Sequence, residues 1–373
     1  MSARVKRFLA NAGLAVIALA ISFAFAEITV RFLYKEDTVL FPRNNTDYQY
    51  GRYTIRGVRA NAEYWHTSAD GSWKFVTNSK GLRNTRDFTY AKPAGTIRVL
   101  SLGDSQTQGL EVRQEFTYSA VMERMLIRQT KGAEVINAGV SGFSNAEELV
   151  FLENEGIRYD PDVVVLGFFA NDFEDNFIAG LFGLDAQNKL VEEKYEHLPG
   201  VRIQKVIYRI PGVEWLGENS YFYSLLFNKV WNYFKEKFGT AAVQQAAKGA
   251  PAASVEGAFE YAVPTSETLS PRQIALAWAL IDRMHRFCAE RGIRFIVVDI
   301  PVFIERYRYR SSLPPALIEK FAAAHIEFVP SDTLLQNYDG VAEIHVAHGT
   351  HHISEFTHTL IGAEIGRRIL ARR

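Results

Sequence analysis

The stretch IRVLSLGDSQTQG, Ile97–Gly109, decides the fold that the rest of the chain completes. Its first seven residues are mostly apolar, which is typical of a buried strand. Gly103-Asp104-Ser105 interrupts the strand, and the helical pattern FTYSAVMERMLIRQ follows. A serine between a strand and a helix either belongs to a turn or is presented to solvent as a nucleophile, so the other segments have to distinguish the two.

Strand and helix patterns alternate from Thr96 to the C-terminus. Apolar strand patterns recur as AEVINAG, PDVVVLGF, IRFIVVDI and IEFVP, and helical patterns lie between and after them, ending with THTLIGAEIGRRIL. This alternation predicts an α/β domain with a parallel sheet of about five strands and helices on both faces.

Residues that could act together in catalysis follow three of these strands and precede the last helix. They are Ser105, Gly142 in NAGVSGFS, Asn171 in FFANDFEDN and the histidines of HVAHGTHHISEFTH. Ligands of open parallel sheets bind beyond the carboxyl ends of the strands, so we expect these residues to converge. A histidine can take the proton of a serine nucleophile, and N–H donors can stabilise the resulting oxyanion.

In these four blocks the chain resembles the SGNH/GDSL hydrolases, from about Val76 to the C-terminus without the insertion described below. The resemblance implies a three-layer flavodoxin-like fold and ester hydrolysis without a metal or cofactor. It makes Ser105 the nucleophile and places Ser105, Gly142 and Asn171 in the oxyanion hole. The usual glycine two residues before the asparagine is Phe169 here. The upstream TNSKGLR resembles the membrane-anchored and secreted bacterial branch of that family.

The histidine block matches the family in part. His352, Ser354 and His358 have the spacing of the family's base, small residue and second histidine. We therefore expect His352 to be the general base, with Ser354 as the N-cap of the closing helix. His351, its neighbour, is the alternative base.

The acid that usually stands three residues before the base is missing. Gly349 occupies that position for His352, and His348 occupies it for His351. The group that orients the imidazole stays open among a backbone carbonyl, His348 and the more distant Asp332 and Asp339.

The N-terminus has the pattern of a membrane signal. Arg4, Lys6 and Arg7 precede an uncharged, mostly apolar run, Phe8–Ala26. Flanking positive charge keeps the N-terminus in the cytoplasm, so a signal anchor predicts a single-pass protein of the inner membrane with a periplasmic catalytic domain. A signal peptide cleaved after Ala26, leaving a secreted protein, is the alternative.

We expect four regions: the anchor at 1–35, an extension packed on the hydrolase domain at 36–94, the hydrolase domain at 95–373, and an insertion within it at about 173–269. The insertion contains an aromatic helical pattern, WLGENSYFYSLLFNKVWNYFKEKF, and then GTAAVQQAAKGAPAASVEGA, which has the composition of a mobile linker. We favour packing of the aromatic pattern against the main domain over an apolar face turned to a membrane or substrate.

The composition of the chain limits the classes of partner that it can bind. The chain has 42 basic and 42 acidic residues and no basic stripe, which argues against a nucleic-acid partner. Cys288 is the one cysteine, so no intrachain disulfide can form. We expect a serine esterase acting on an acylated extracytoplasmic glycan or a lipid. The alternatives are an O-acyltransferase with the same site and a membrane-tethered glycan-binding or assembly protein with a decayed site.

Overall fold

The computed structural model describes residues 2–42, 44–193, 206–230, 233, 269–348 and 350–372. The helices are α1 (Ala3–Leu33), α2 (Ser105–Gln108), α3 (Tyr118–Gln129), α4 (Asn145–Asn154), α5 (Asp172–Ala179), α6 (Val213–Asn219), α7 (Pro271–Ala289), α8 (Pro315–Ala323), α9 (Ser331–Leu334) and α10 (Glu355–Ala371). A further helix covers 221–230 and is called the aromatic helix below. The strands are β1 (Asn45–Tyr50), β2 (Tyr53–Val58), β3 (Glu63–Ser68), β4 (Gly71–Val76), β5 (Ile97–Gly103), β6 (Ala133–Asn137), β7 (Val163–Phe168), β8 (Phe182–Leu184), β9 (Leu190–Glu192), β10 (Arg294–Asp299), β11 (Val302–Glu305), β12 (Arg308–Arg310) and β13 (Glu327–Val329).

A five-stranded parallel sheet organises the domain. Its order is β13-β10-β7-β5-β6, and every neighbouring pair is parallel. Numbered along the chain, this is the flavodoxin-like order 2-1-3-4-5, whose crossover direction reverses between β5 and β7. The predicted α/β architecture is confirmed, and the reversal lies where Ser105 and Asn171 leave the sheet.

Alternate strand residues enter the cores on the two faces of the sheet. Leu100 and Val164 belong to the core that includes side chains of α4, α7 and α8. Val99 and Val165 belong to the core that includes side chains of α3 and α10. These strands are apolar on both faces because helices cover both, and this gives the expected three layers.

The extension forms two antiparallel hairpins, β1 with β2 and β3 with β4. Ile55, Tyr64 and Phe75 from these hairpins are buried in the same core cluster as Leu100 and Leu102 of β5. The extension therefore shares a core with the sheet domain and brings its polar side chains near the carboxyl ends of the strands.

The insertion is described in part. Its described elements are α5, the β8–β9 hairpin, α6 and the aromatic helix. The predicted linker at 239–258 lies outside the described residues. At the N-terminus, α1 is a single helix of 31 residues whose apolar run is long enough to cross a membrane, a property that it shares with signal sequences.

Candidate active site

A tight turn presents Ser105 at the carboxyl end of β5. Asp104 caps α2 by accepting a hydrogen bond from the Gln106 backbone N–H at 2.8 Å. Gly103 has φ of 152°, and a Cβ there would lie 1.9 Å from Oγ1 of Thr107. Glycine is needed at this turn for that close approach, and Ser105 becomes the first residue of α2 at the sheet edge.

Antiparallel pairing of residues 344–346 with residues 352–354 carries His352 to the serine. The Val346 N–H donates to the carbonyl of His352 at 2.8 Å, and the Ile353 N–H donates to Oε1 of Gln106 at 3.0 Å. Nε2 of His352 lies 2.8 Å from Oγ of Ser105. This is hydrogen-bonding distance for a serine hydroxyl that donates to a basic imidazole nitrogen.

Glu111 lies on the other side of the imidazole, and sequence reasoning missed it. Its Oε2 is 3.1 Å from Nδ1 of His352 and accepts a hydrogen bond from Oγ1 of Thr350 at 2.8 Å. Thr350 Oγ1 also contacts Nδ1 of His352. Ser105, His352 and Glu111 thus lie in the serine–histidine–acid order that hydrolytic triads use. The signal in the sequence is that Glu111 is the first acid after Ser105, whereas the family pattern places the acid in the histidine block.

The setting of Glu111 keeps its carboxyl ionised. The side chain is buried, which by itself raises the pKa, but its contacts with His352 and His66 outweigh burial and hold the pKa well below the usual range. Nε2 of His66, on β3, is 3.8 Å from Oε1 of Glu111. An ionised carboxylate at this point can stabilise an imidazolium on His352.

Arg83 holds the loop that carries Glu111. Its buried guanidinium donates to the carbonyls of Gln108 at 2.9 Å and Val112 at 2.7 Å, and also to the carbonyl of Gly109. Glu111 itself has φ of 60°, an uncommon value for a residue with a side chain. Arg83 is the last residue of the TNSKGLR stretch, so that stretch supplies the side chain that holds the loop of Glu111.

The loop with Gly142 lies against the nucleophile turn. The Val140 N–H donates to the carbonyl of Gly103 at 3.0 Å, and the Ser141 N–H donates to Oε1 of Gln108 at 3.1 Å. Arg56, on β2, donates to the carbonyl of Gly142. This contact holds the carbonyl of Gly142 from the side of the extension.

Asn171 reaches the same edge, but carboxylates hold its side-chain amide. Nδ2 donates to Asp104 at 3.2 Å and to Asp175 at 3.0 Å. Both N–H groups of the amide are therefore engaged in this conformation. For Asn171 to donate to an oxyanion, one of these two bonds has to be exchanged.

A sequence match that includes Ser105, Glu111 and His352 identifies the family. The model of the GDSL-like lipase/acylhydrolase family matches residues 101–352, more than half of the chain. The chain belongs to this family. It is accordingly a hydrolase that acts on ester bonds, and the SGNH/GDSL resemblance is confirmed.

Solved structures that match the chain include a lipase/acylhydrolase and an acetylxylan esterase. A lipase/acylhydrolase from Enterococcus faecalis is 17% identical, with a TM-score of 0.36, and the match covers 74% of this chain and 96% of that one. Axe2, an acetylxylan esterase from Geobacillus stearothermophilus, is 13% identical in a catalytic-mutant structure, with a TM-score of 0.39 and coverage of 75% and 96%. No curated protein matches the chain by sequence.

The side chains of His351 and His352 in this GDSL-family chain have different partners, and the backbone at His351 is left-handed, with φ of 51°. The ring of His351 stacks on Phe303 with centroids 4.0 Å apart, and its Nδ1 lies 3.3 Å from the carbonyl of Val346. His358 accepts from the Tyr118 N–H at 3.1 Å and is buried. Ser354 caps α10, as expected from the sequence.

The groups considered for orienting the base have other partners. Nδ1 of His348 is 2.9 Å from Oδ1 of Asp70. Asp332 accepts from the hydroxyl of Tyr309 at 3.2 Å, and Asp339 accepts from the Val341 N–H at 3.1 Å. Of the alternatives left open by the sequence, His348, Asp332 and Asp339 are therefore engaged elsewhere, and the acid at the imidazole of His352 is Glu111. Gly349 lies outside the described residues.

Buried carboxyl groups lie behind the nucleophile turn of this hydrolase. Burial raises the pKa of Asp104 to about 6 and that of Glu148 to about 8. Burial, and then the nearby Glu148 and Asp104, raise the pKa of Asp172 well above its usual range. Burial therefore shifts these carboxyls toward the protonated form, in contrast to Glu111.

Proposed function

We propose that the protein is a serine esterase that works through an acyl-enzyme on Ser105. The observation that carries the proposal is the contact line from Ser105 Oγ to His352 Nε2, at 2.8 Å, and from His352 Nδ1 to Glu111 Oε2, at 3.1 Å. This line removes the main reason for considering a decayed site, which was the missing acid.

The proposed reaction has two steps. Oγ of Ser105 attacks the ester carbonyl carbon while Nε2 of His352 takes the hydroxyl proton, and Glu111 stabilises the imidazolium. The backbone N–H groups of Ser105 and Gly142 hold the oxyanion, with Asn171 joining after its amide exchanges a partner. The alcohol leaves with the proton from His352. Water then attacks the acyl-serine by the same route and releases the acid.

We propose that the ester belongs to an acylated glycan or a lipid outside the cytoplasm. The support is α1, with Arg4, Lys6 and Arg7 before its apolar run, which would keep the N-terminus inside and export the hydrolase domain. The carboxylate of Glu27 contacts residues 220–222. Cleavage after Ala26 would place a charged N-terminal ammonium on Glu27, next to these contacts, so they favour retention of α1.

The esterase is tested on the full chain in detergent with a fluorophosphonate probe and with 4-nitrophenyl acetate. We expect probe labelling and hydrolysis in the parent and in Ser79→Ala, an exposed serine control, and neither in Ser105→Ala. Equal labelling of Ser105→Ala and the parent would refute the nucleophile. Addition of an alcohol acceptor then measures transfer against hydrolysis by the ratio of acylated acceptor to free acid.

The location is tested by fusing alkaline phosphatase or green fluorescent protein after Arg373. An active phosphatase and a dark fluorescent protein are expected, because the C-terminus lies outside the cytoplasm in the proposed orientation. The opposite pair of results rejects that orientation. N-terminal sequencing that starts at Glu27 would keep the export and reject the anchor.

A further inference from the structure

The end of α1 is joined to the insertion by a charged cap. The two carboxylate oxygens of Glu27 accept from the backbone N–H groups of Tyr221 at 3.0 Å and Phe222 at 2.9 Å, and from the Ser220 hydroxyl at 2.7 Å. Exposed backbone N–H groups at a helix N-terminus favour a negative charge. Glu27 therefore ties the start of the aromatic helix to α1.

A second set of contacts surrounds this cap. Arg31 donates to the carbonyl of Asn219 at 2.6 Å, and its guanidinium carbon lies 5.0 Å from the centre of the Tyr221 ring. Tyr221 is buried with Val30 and Leu40. The junction thus combines a charged cap, a cation–π contact and apolar packing.

One contact sets the position of the aromatic helix along the axis of α1, relative to the apolar run. The ring of Phe222 meets that of Phe23 edge to face, with centroids 5.6 Å apart. Phe23 lies inside the run Phe8–Ala26, three residues from its end, or about 4–5 Å along the helix axis. If α1 spans a bilayer, Phe222 lies at the boundary of its hydrocarbon layer.

The face that continues from Phe222 is apolar and exposed within the described part of the chain. Leu226 and Val230 follow at intervals of four residues and so share its side of the helix. Their relative exposures are 51% and 47%, whereas Tyr221 and Ser224 are buried against the protein. Lys229, also exposed, adjoins this face and suits an anionic headgroup layer.

We propose that the face formed by Phe222, Leu226, Lys229 and Val230 rests in the interfacial layer of the membrane leaflet from which α1 emerges. This proposal depends on α1 spanning the membrane but not on the esterase activity. Amphipathic helices bind this layer by burying an apolar face among the headgroups and first acyl carbons. The aromatic helix then fixes the hydrolase domain next to the bilayer, where esters of membrane-held molecules are within reach.

The test uses single-cysteine labelling of the full chain in vesicles of phosphatidylcholine and phosphatidylglycerol. The native Cys288 stays in every variant, but it is buried, and burial raises the pKa of its thiol to about 12. A maleimide at neutral pH therefore reacts with the introduced cysteine and not with Cys288. An NBD label is attached in Leu226→Cys, in Val230→Cys and in two controls. Leu14→Cys reports the middle of α1, and Val341→Cys reports an 83% exposed loop position.

Lipids brominated on their acyl chains quench NBD that is close to them. We expect loss of emission at Leu14, Leu226 and Val230 and unchanged emission at Val341. Quenching at Leu14 without quenching at Leu226 and Val230 overturns the surface proposal and leaves α1 in the membrane. Energy transfer between labels at Leu226 that rises with the protein-to-lipid ratio, without bromine quenching, overturns it in favour of a second copy of the chain. No quenching at Leu14 rejects the membrane placement and the surface together.

Discussion

Oε2 of Glu111 lies 3.1 Å from Nδ1 of His352, although 241 positions separate the two residues in the chain. The carboxylate comes from the loop directly after the nucleophile helix, and the base comes from the loop before the last helix. In the resembled family pattern the acid and the base are three residues apart. Here the proposed acid follows the proposed nucleophile closely in the chain, so residues 105–111 carry two of the three members of the proposed triad.

Glu111→Gln should lower kcat for a nitrophenyl ester by about 10²–10⁴-fold, with a smaller change in KM, because the uncharged amide cannot stabilise the imidazolium of His352. Glu115→Gln, an exposed acid in the same loop region, should leave kcat unchanged. Steady-state kinetics on both, with thermal melts to show folding, make the comparison. Activity of Glu111→Gln within threefold of the parent would mean that the carboxylate has no part in the reaction.

His352→Ala should abolish ester turnover, whereas His351→Ala should keep it, because the imidazole of His352 contacts Ser105 and that of His351 does not. Removing His351 also removes its stacking on Phe303, so a loss of stability of about 1 kcal/mol is expected for that variant. Initial rates and melting temperatures of the two variants provide the measurement. Loss of turnover in folded His351→Ala, with retention in His352→Ala, would move the base to His351.

Asn171→Ala should reduce kcat by about 10²–10³-fold if its amide joins the oxyanion hole in the transition state. The reduction comes with little change in KM, because the donated bond forms only as the oxyanion develops. Gln187→Ala removes an exposed amide and is the control. A normal kcat in Asn171→Ala would assign the residue to a structural role, holding Asp104 and Asp175 through the bonds seen here.

Stability should fall as pH rises from 6.5 to 8, because burial raises the pKa of Glu148 to about 8 and the folded state keeps a proton that the unfolded state has lost. The raised pKa of Asp172 acts in the same direction. Buried His345 and His358 have pKa values lowered by burial to about 4 and about 3 in the folded protein, so they raise stability as pH rises toward about 6.5, the pKa of an unfolded imidazole, and oppose the trend mainly below this window.

Glu148→Gln should therefore flatten this dependence, by about 1–2 kcal/mol over the interval. Denaturant unfolding of the full chain in detergent at several pH values measures it, with the exposed Glu290→Gln as control. Parallel curves for Glu148→Gln and the parent would show that Glu148 is already ionised in the folded protein.

The sequence by itself determined the layered α/β fold, because buried strands and amphipathic helices follow from the local spacing of apolar residues. It also placed Ser105 and the histidine block at one sheet edge, since parallel strands end on the same side. The cap at Ser354 followed equally from local chemistry.

Only the tertiary structure decided which groups meet across that edge. Glu111, His66 and Arg83 carry no periodic signal, and their roles arise from a loop with positive φ enclosed by the extension. The capping of the aromatic helix by Glu27 is equally non-local. Contacts of this kind depend on distances between separate elements, and those distances are set by packing of the whole chain rather than by neighbouring residues.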